Sequence, residues 1–216
     1  RNPVFDFAVV DEAQDVGVAH LRFLVALAGG EGAVRPNALF FAGDLGQRIF
    51  QQPFSWKSLG VDVRGRSRPL RVNYRTSHQI RSQADRLLGP TVTDVDGNTE
   101  DRSDTVSVFN GPPPGIRILK TAEEESAVVG HWLTEGVSAG IQPHEMAVFV
   151  RSDAQIGRAE EAVRLAGLTS QILDNHVAVE SEHVSICTMH RAKGLEFRAV
   201  AVMACDDEVI PLQERI

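Results

Sequence analysis

Two adjacent carboxylates, Asp11 and Glu12, close a mostly apolar run from Phe5 to Val10 and lead into Ala13-Gln14-Asp15. An acidic pair at the end of a buried strand suits two tasks in nucleotide hydrolysis. One carboxylate can hold Mg²⁺, usually through its water shell, because Mg²⁺ dehydrates reluctantly. The other can orient and deprotonate the attacking water, which requires a base within hydrogen-bond reach. Asp and Glu also favour loops and helix starts for local reasons, so a bare pair does not decide the matter. Further along, Gln47 follows Asp44 on a loop after an apolar run, and a neutral amide there can reach a terminal phosphate. Arg75 sits in Asn73-Tyr74-Arg75-Thr76, and Thr188, His190, Lys193, Gly194 and Glu196 fall within ten residues that end at Phe197. A lone Arg is ordinarily a surface ion pair and a lone His a satisfied core residue. The strings around them give these residues more.

Such groups need elements that hold them at strand ends, and the hydropathy pattern supplies these. Short apolar runs alternate with amphipathic stretches, the mark of an α/β architecture with parallel strands. Phe5–Val10 and Ala38–Ala42 read as buried strands, with a helix over Val18–Ala28 that Gly29-Gly30 ends. A second series begins near residue 70. It has a helix over Ser77–Leu88, a polar connection from Gly89 to Pro114 with little core, and a strand over Gly115–Leu119. A helix over Glu123–Ser138, a strand over Met146–Val150 and a helix over Ala154–Ala166 follow, and Val184–Thr188 and Ala199–Ala204 complete the strands. In such sheets ligands collect where loops converge at carboxyl ends.

Composition narrows the class. With 216 residues and 43% hydrophobic content, the chain can bury a substantial core as one large or two small domains. No apolar run approaches the roughly 18–20 residues that span a bilayer, and the start has no secretory signal. The absence of an initiator Met, with a strand almost at once, reads as a piece of a longer protein. Cys187 and Cys205 lie in apolar, strand-like segments, which suits small buried thiols in a reducing, cytoplasmic compartment. The seven His residues show no zinc-type spacing. A net charge of −7 does not advertise a nucleic-acid binder, but binding follows local potential. Arg64, Arg66, Arg68 and Arg71 form one cluster, and Arg191, Lys193 and Arg198 another. A solvated face is the plain reading of both.

Taken in order, the strings resemble the motifs of superfamily 1 helicases of the UvrD/Rep type. An apolar run followed by Asp-Glu is the Walker B pattern, and Val9-Val10-Asp11-Glu12-Ala13-Gln14-Asp15 resembles motif II. Gly43-Asp44-Leu45-Gly46-Gln47-Arg48-Ile49-Phe50 resembles motif III, Asn73-Tyr74-Arg75-Thr76 motif IV, and Thr188 to Phe197 motif V, the most specific string in the chain. Phe149-Val150-Arg151-Ser152-Asp153-Ala154-Gln155 resembles the strand-to-helix segment of the second motor lobe, to which no chemistry is assigned.

The resemblance implies an α/β fold of two RecA-like parallel-sheet lobes of the P-loop NTPase superfamily. Residues 1–70 would be the C-terminal part of lobe 1A, and 71–216 a lobe 2A truncated at its C-terminus. It implies ATP and Mg²⁺, with Asp11 on the metal through water, Glu12 activating water, Gln47 sensing the terminal phosphate and Arg75 neutralising transition-state charge. Gly194 would let backbone approach the nucleotide, and Glu196 would contact the ribose. Thr188 and His190 would donate to DNA phosphates. An aromatic, Trp56 or Phe54, would stack on a base, contributing roughly 1–3 kcal/mol, although either also reads as core. The function implied is 3′-to-5′ movement on single-stranded DNA, with a fused or associated nuclease as an implied partner and no membrane. Residue types do not separate DNA from RNA.

Three departures stand out. No Gly-x-x-x-x-Gly-Lys-Ser/Thr string occurs, the chain stops before motif VI, and only Leu168 to His183 separate the last helix from motif V. The chain alone is therefore expected not to hydrolyse ATP, and sixteen residues cannot form the accessory 2B domain of the family. Two other readings remain: a non-catalytic degenerate helicase module for DNA or protein contacts, and a translocase serving a nuclease complex.

Overall fold

A computed structural model describes residues 5–30, 33–48, 52–87, 89–173 and 181–210. The chain divides into two compact units, Arg1–Gly115 and Ile116–Ile216.

The first unit contains β1 (Ala8–Val10), α1 (Val18–Ala28), β2 (Gly29–Gly30), β3 (Ala33–Val34) and β4 (Leu39–Phe41). These are followed by β5 (Val72–Asn73), α2 (His78–Asp85), β6 (Thr91–Thr93), β7 (Thr99–Asp101) and β8 (Val106–Ser107). β1 and β4 pair in parallel, as do β5 and β8, whereas β2–β3 and β6–β7 are antiparallel. The expected strand from Phe5 shortens to Ala8–Val10, because its ladder partner β4 offers only three positions. Phe5 and Phe7 are exposed. α1 keeps its expected bounds and buries Leu21 and Ala28. It ends without a left-handed glycine, since Gly29 is extended and begins β2. α2 is shorter than expected, with Ser77 as its N-cap; Leu88, its expected end, lies outside the described residues.

Compactness divides the chain after Gly115, whereas the motif order puts the lobe boundary near residue 70. The connection over 89–114 explains the difference. It forms the β6–β7 hairpin, where Asp94 accepts from the backbone N–H groups of Asp96 and Asn98. This hairpin is tied back to earlier loops through Arg102–Asp44 and Asp96–Trp56.

The second unit contains α3 (Ala122–Ser138), β9 (Met146–Val150), α4 (Ile156–Leu165), β10 (Thr169–Ile172), β11 (His183–Thr188) and β12 (Ala199–Val202). The four strands are all parallel, in the order β10-β11-β9-β12. Thr121 caps α3 by accepting from Glu124 N at 3.2 Å, and three glutamates follow in the first turn, where the helix dipole favours negative charge. Leu133 from α3 and Ala159, Ala162 and Val163 from α4 pack with Met146, Val148, Val150, Val184 and Ile186 of the sheet, all fully buried. α3 and α4 approach closely at Gly130, where a Cβ would lie 2.8 Å from Ala162 O.

Three expectations are corrected here. The segment from Gly115 to Leu119 is not a strand: no strand pairs with it among the described residues, and Ile116 and Ile118 are exposed. Cys187 is buried in β11, but Cys205 lies beyond β12 and is exposed. The stretch before motif V contributes an unexpected strand, β10, at the sheet edge, with Thr169 opposite His183. Its described residues extend the existing sheet and form no separate subdomain; 174–180 lie outside the described residues. Among the described residues no helix is long and apolar enough to cross a membrane.

Candidate functional site

β1 and β4 are parallel neighbours with Val10 opposite Phe41, so the loops that follow them leave side by side. The backbone pairing continues past the strands: Ala42 N donates to Val10 O at 2.8 Å, and Ala13 N donates to Ala42 O at 2.8 Å. Asp11 and Glu12 are exposed at this end. Glu12 has left-handed backbone, φ 50 and ψ 42, which costs a non-glycine residue about 1–2 kcal/mol and persists where neighbouring bonds over-determine it. The Ala13–Ala42 bond and Asp15 N donating to Glu12 O at 2.9 Å supply that constraint.

Gln14 is 4% exposed. Its Nε2 donates to Glu12 Oε2 at 2.5 Å, and its Oε1 accepts from Asp44 N at 3.0 Å. Gly43 lies so close that a Cβ there would sit 2.5 Å from Gln14 Oε1 and 3.0 Å from Ala13 N. Asp44 accepts from Gly46 N at 2.8 Å, Gln47 Nε2 at 2.9 Å and Arg102 Nη1 at 3.0 Å. The acidic pair and Gln47 are thus gathered through a continuous hydrogen-bonded chain, Glu12–Gln14–Asp44–Gln47. Arg102 also reaches Asp85 at 3.5 Å, which pairs with Arg81 Nε at 3.0 Å. Burial, and then the Asp44 charge, hold the nearby Glu100 carboxyl above its ordinary range.

Arg75 is in the same unit but on a different sheet, in the loop after β5, and is exposed. Asn73 shapes that loop: its Oδ1 accepts from Arg75 N at 2.8 Å and Thr76 N at 3.1 Å, and its Nδ2 donates to Thr76 Oγ1 at 2.7 Å. This is an Asx turn. Trp56 meets Phe41 of β4 edge-on, with ring centroids 4.7 Å apart. Asp96 fixes its backbone, accepting from Trp56 N at 2.7 Å, Lys57 N at 3.1 Å and the Ser55 hydroxyl. The Ser55 bond first, and those backbone bonds with it, hold the Asp96 carboxyl below its ordinary range. Phe54 is half-buried; Ile49, Phe50 and Gln51 lie outside the described residues.

Asp11 offers an exposed carboxylate, the kind of group that could hold Mg²⁺. Mg²⁺ commonly takes one or two carboxylates plus nucleotide phosphates.

In the second unit, motif V leaves the carboxyl end of β11 and the Arg151-Ser152-Asp153 segment leaves that of its neighbour β9, with Thr188 opposite Val150. Thr188 is buried, and its carbonyl accepts from Arg191 N at 2.9 Å and Ala192 N at 3.0 Å. His190 is exposed, with Arg151 Nη1 at 3.2 and 3.3 Å from its ring nitrogens. Arg191 pairs with Asp153 at 3.7 Å. Gly194 has φ +82, a conformation L side chains rarely adopt, and a Cβ there would meet nothing within 4 Å. The glycine is therefore needed for its backbone angle, with open space beside it. Glu196 is exposed, and Phe197 packs edge-on against Phe149, centroids 5.9 Å apart.

Sequence reasoning assigned no role to Gln14, Arg102 or Arg151. Gln14 had a signal, since it belongs to the motif II string. Arg102 had none, because its pairing with Asp44 spans 58 positions. Arg151 stood in a recognised string but gains its meaning only from the register of β9 with β11.

The chain is similar to known proteins over part of its length. Residues 158–216 match the UvrD-like helicase C-terminal domain. The chain is 28% identical over 169 residues to the ATP-dependent DNA helicase UvrD2 of Mycobacterium bovis and to that of Mycobacterium tuberculosis, covering 76% of this chain and 23% of each relative. It thus spans about a quarter of the length of the curated relatives it matches. The matched domain implies a RecA-like P-loop NTPase fold, in keeping with the parallel α/β sheet. Motifs, fold and matches together make this chain similar to helicases of the UvrD/Rep type.

Proposed function

We propose that this chain supplies part of an ATP-driven motor that moves 3′ to 5′ along single-stranded DNA. Glu12 is the general base for the attacking water, and Asp11 holds Mg²⁺ through water. Gln47 senses the terminal phosphate, and Arg75 meets charge that develops on the phosphoryl oxygens. Bound Mg²⁺ supplies neutralisation of phosphate charge. Gly194 and Glu196 serve the nucleotide. Thr188 and His190 hold DNA phosphates, and Phe54 or Trp56 stacks on a base. Trp56 is committed on one edge to Phe41, so stacking there would use its remaining surface. By motif order, residues 1–70 belong to the first motor lobe and 71–216 to the second.

The observation that carries this reading is the parallel pairing of β1 with β4, which brings Asp11-Glu12 and the Asp44–Gln47 turn to one sheet edge. Hydrolysis chemistry needs base and sensor within reach of the same phosphate.

The test uses the full-length helicase carrying this chain. Glu12→Gln should lower DNA-stimulated ATP turnover about 10²–10⁴-fold while ATP affinity stays near wild type. Retained turnover would remove Glu12 as base, and lost binding would make its role structural. Absence of DNA-stimulated ATPase in the wild type would favour a degenerate module instead. A strand-displacement assay on tailed duplex separates a helicase from a translocase that serves a nuclease.

A further inference from the structure

We propose that Gln14 is a positioning residue that locks the base, Glu12, to the phosphate-sensing turn at Asp44–Gln47, so that the two move as one body. The inference rests on the assignment of Glu12 as base. A buried amide is retained only if its polar atoms are satisfied, and Gln14, 4% exposed, satisfies its own at two site elements. It donates to the Glu12 carboxylate at 2.5 Å and accepts from the Asp44 backbone at 3.0 Å. Packing alone does not explain this choice, since an apolar side chain of similar length would fill the space.

The two partners define the side chain required. Glu at this position would set a second carboxylate against Glu12. Met or Leu would leave the part-buried Asp44 N–H without its acceptor. A neutral amide donates to an anion at one end and accepts from a backbone N–H at the other. Gly43 completes the seat, because any Cβ there would intrude on Gln14 Oε1 at 2.5 Å. Beyond Asp44 the chain reaches Gln47 through a 2.9 Å bond. Displacement of either end by nucleotide is therefore felt at the other.

The experiment measures steady-state ATPase of the full-length helicase with saturating single-stranded DNA, alongside thermal melting. Gln14→Met should lower kcat on the order of 10²-fold, the scale of a misplaced reacting group, with KM for ATP close to wild type and folding retained at a lower melting temperature, since the Asp44 N–H loses its acceptor. Combined with Glu12→Gln it should add little, because the base it positions is already gone; a merely structural role would multiply the two losses. Should Gln14→Met fail to fold, Gly43→Ala displaces the same amide and must show the same split between kcat and KM. Unchanged kcat in the folded variant, or losses that multiply, overturns the inference. If Glu12→Gln itself still turns over ATP, the assignment of the base fails first, and the two failures are thereby told apart.

Discussion

The second unit holds its candidate loops with an apolar core, whereas the first holds them with polar side chains. In the second, Leu133, Met146, Val148, Val150, Val184 and Ile186 are fully buried, and the motif V loop starts where a four-stranded parallel sheet ends. In the first, the strands are two or three residues long, and Val9 and Phe40, opposite one another in the β1–β4 ladder, are exposed. Its acidic pair is placed by Gln14, Asp44 and Arg102. Apolar burial fixes where a strand ends but not the direction of a carboxylate on the next loop. Paired hydrogen bonds fix that direction, and each depends on one residue.

Substitutions can break or sharpen this contrast. The largest effect is expected in the apolar core: Leu133→Ala should destabilise the second unit by about 2–5 kcal/mol, read as a shift of its urea midpoint. Gly130→Ala should follow at about 1–3 kcal/mol, because its Cβ would meet the Ala162 backbone oxygen at 2.8 Å. Gly136→Ala in the same helix should be nearly neutral, since its nearest neighbour is the flexible end of Met146; equal losses at both glycines would refute this account of the helix contact. Arg102→Met, in the first unit, should cost about 0.5–1.5 kcal/mol through its part-buried bond to Asp44. A loss as large as that for Leu133 would erase the distinction between the units.

The thiols give the smallest effect and a pH dependence. Burial pushes Cys187 up to about 11, so the folded thiol keeps its proton where the unfolded one has lost it. A group with a raised folded pKa contributes no pH dependence below its unfolded value, and stability falls as pH rises from there toward the folded value. The second unit should therefore weaken above about pH 9, and Cys187→Ser should flatten that limb. Near neutral pH, iodoacetamide should modify the exposed Cys205 well before Cys187, as mass spectrometry of the peptides would show.

The same contrast decides what could be read from the sequence. Met146–Val150 was legible because a strand buried on both faces is a continuous apolar run, and Val184–Thr188 comes close, with Ser185 and Thr188 its polar members. Thr169–Ile172 was not, because an edge strand pairs on one side only and tolerates Ser and Gln. Gly115–Leu119 misled in the other direction: Ile116 and Ile118 alternate with polar neighbours as a strand would, but no ladder partner meets them among the described residues. At the candidate site, residue types and order identified Asp11, Glu12, Gln47 and Arg75 as candidates. The struts behind Glu12 and Gln47 were hidden, since Gln14–Asp44 and Asp44–Arg102 are contacts between distant positions.

The most direct test is a double-variant cycle on kcat in the full-length protein that carries this chain, with Glu12→Gln and Gln47→Ala. If the two loops form one hydrolysis site, the double variant should be scarcely slower than Glu12→Gln alone. Losses that simply multiply would mean that base and sensor act independently, and would contradict a shared site at the ends of β1 and β4.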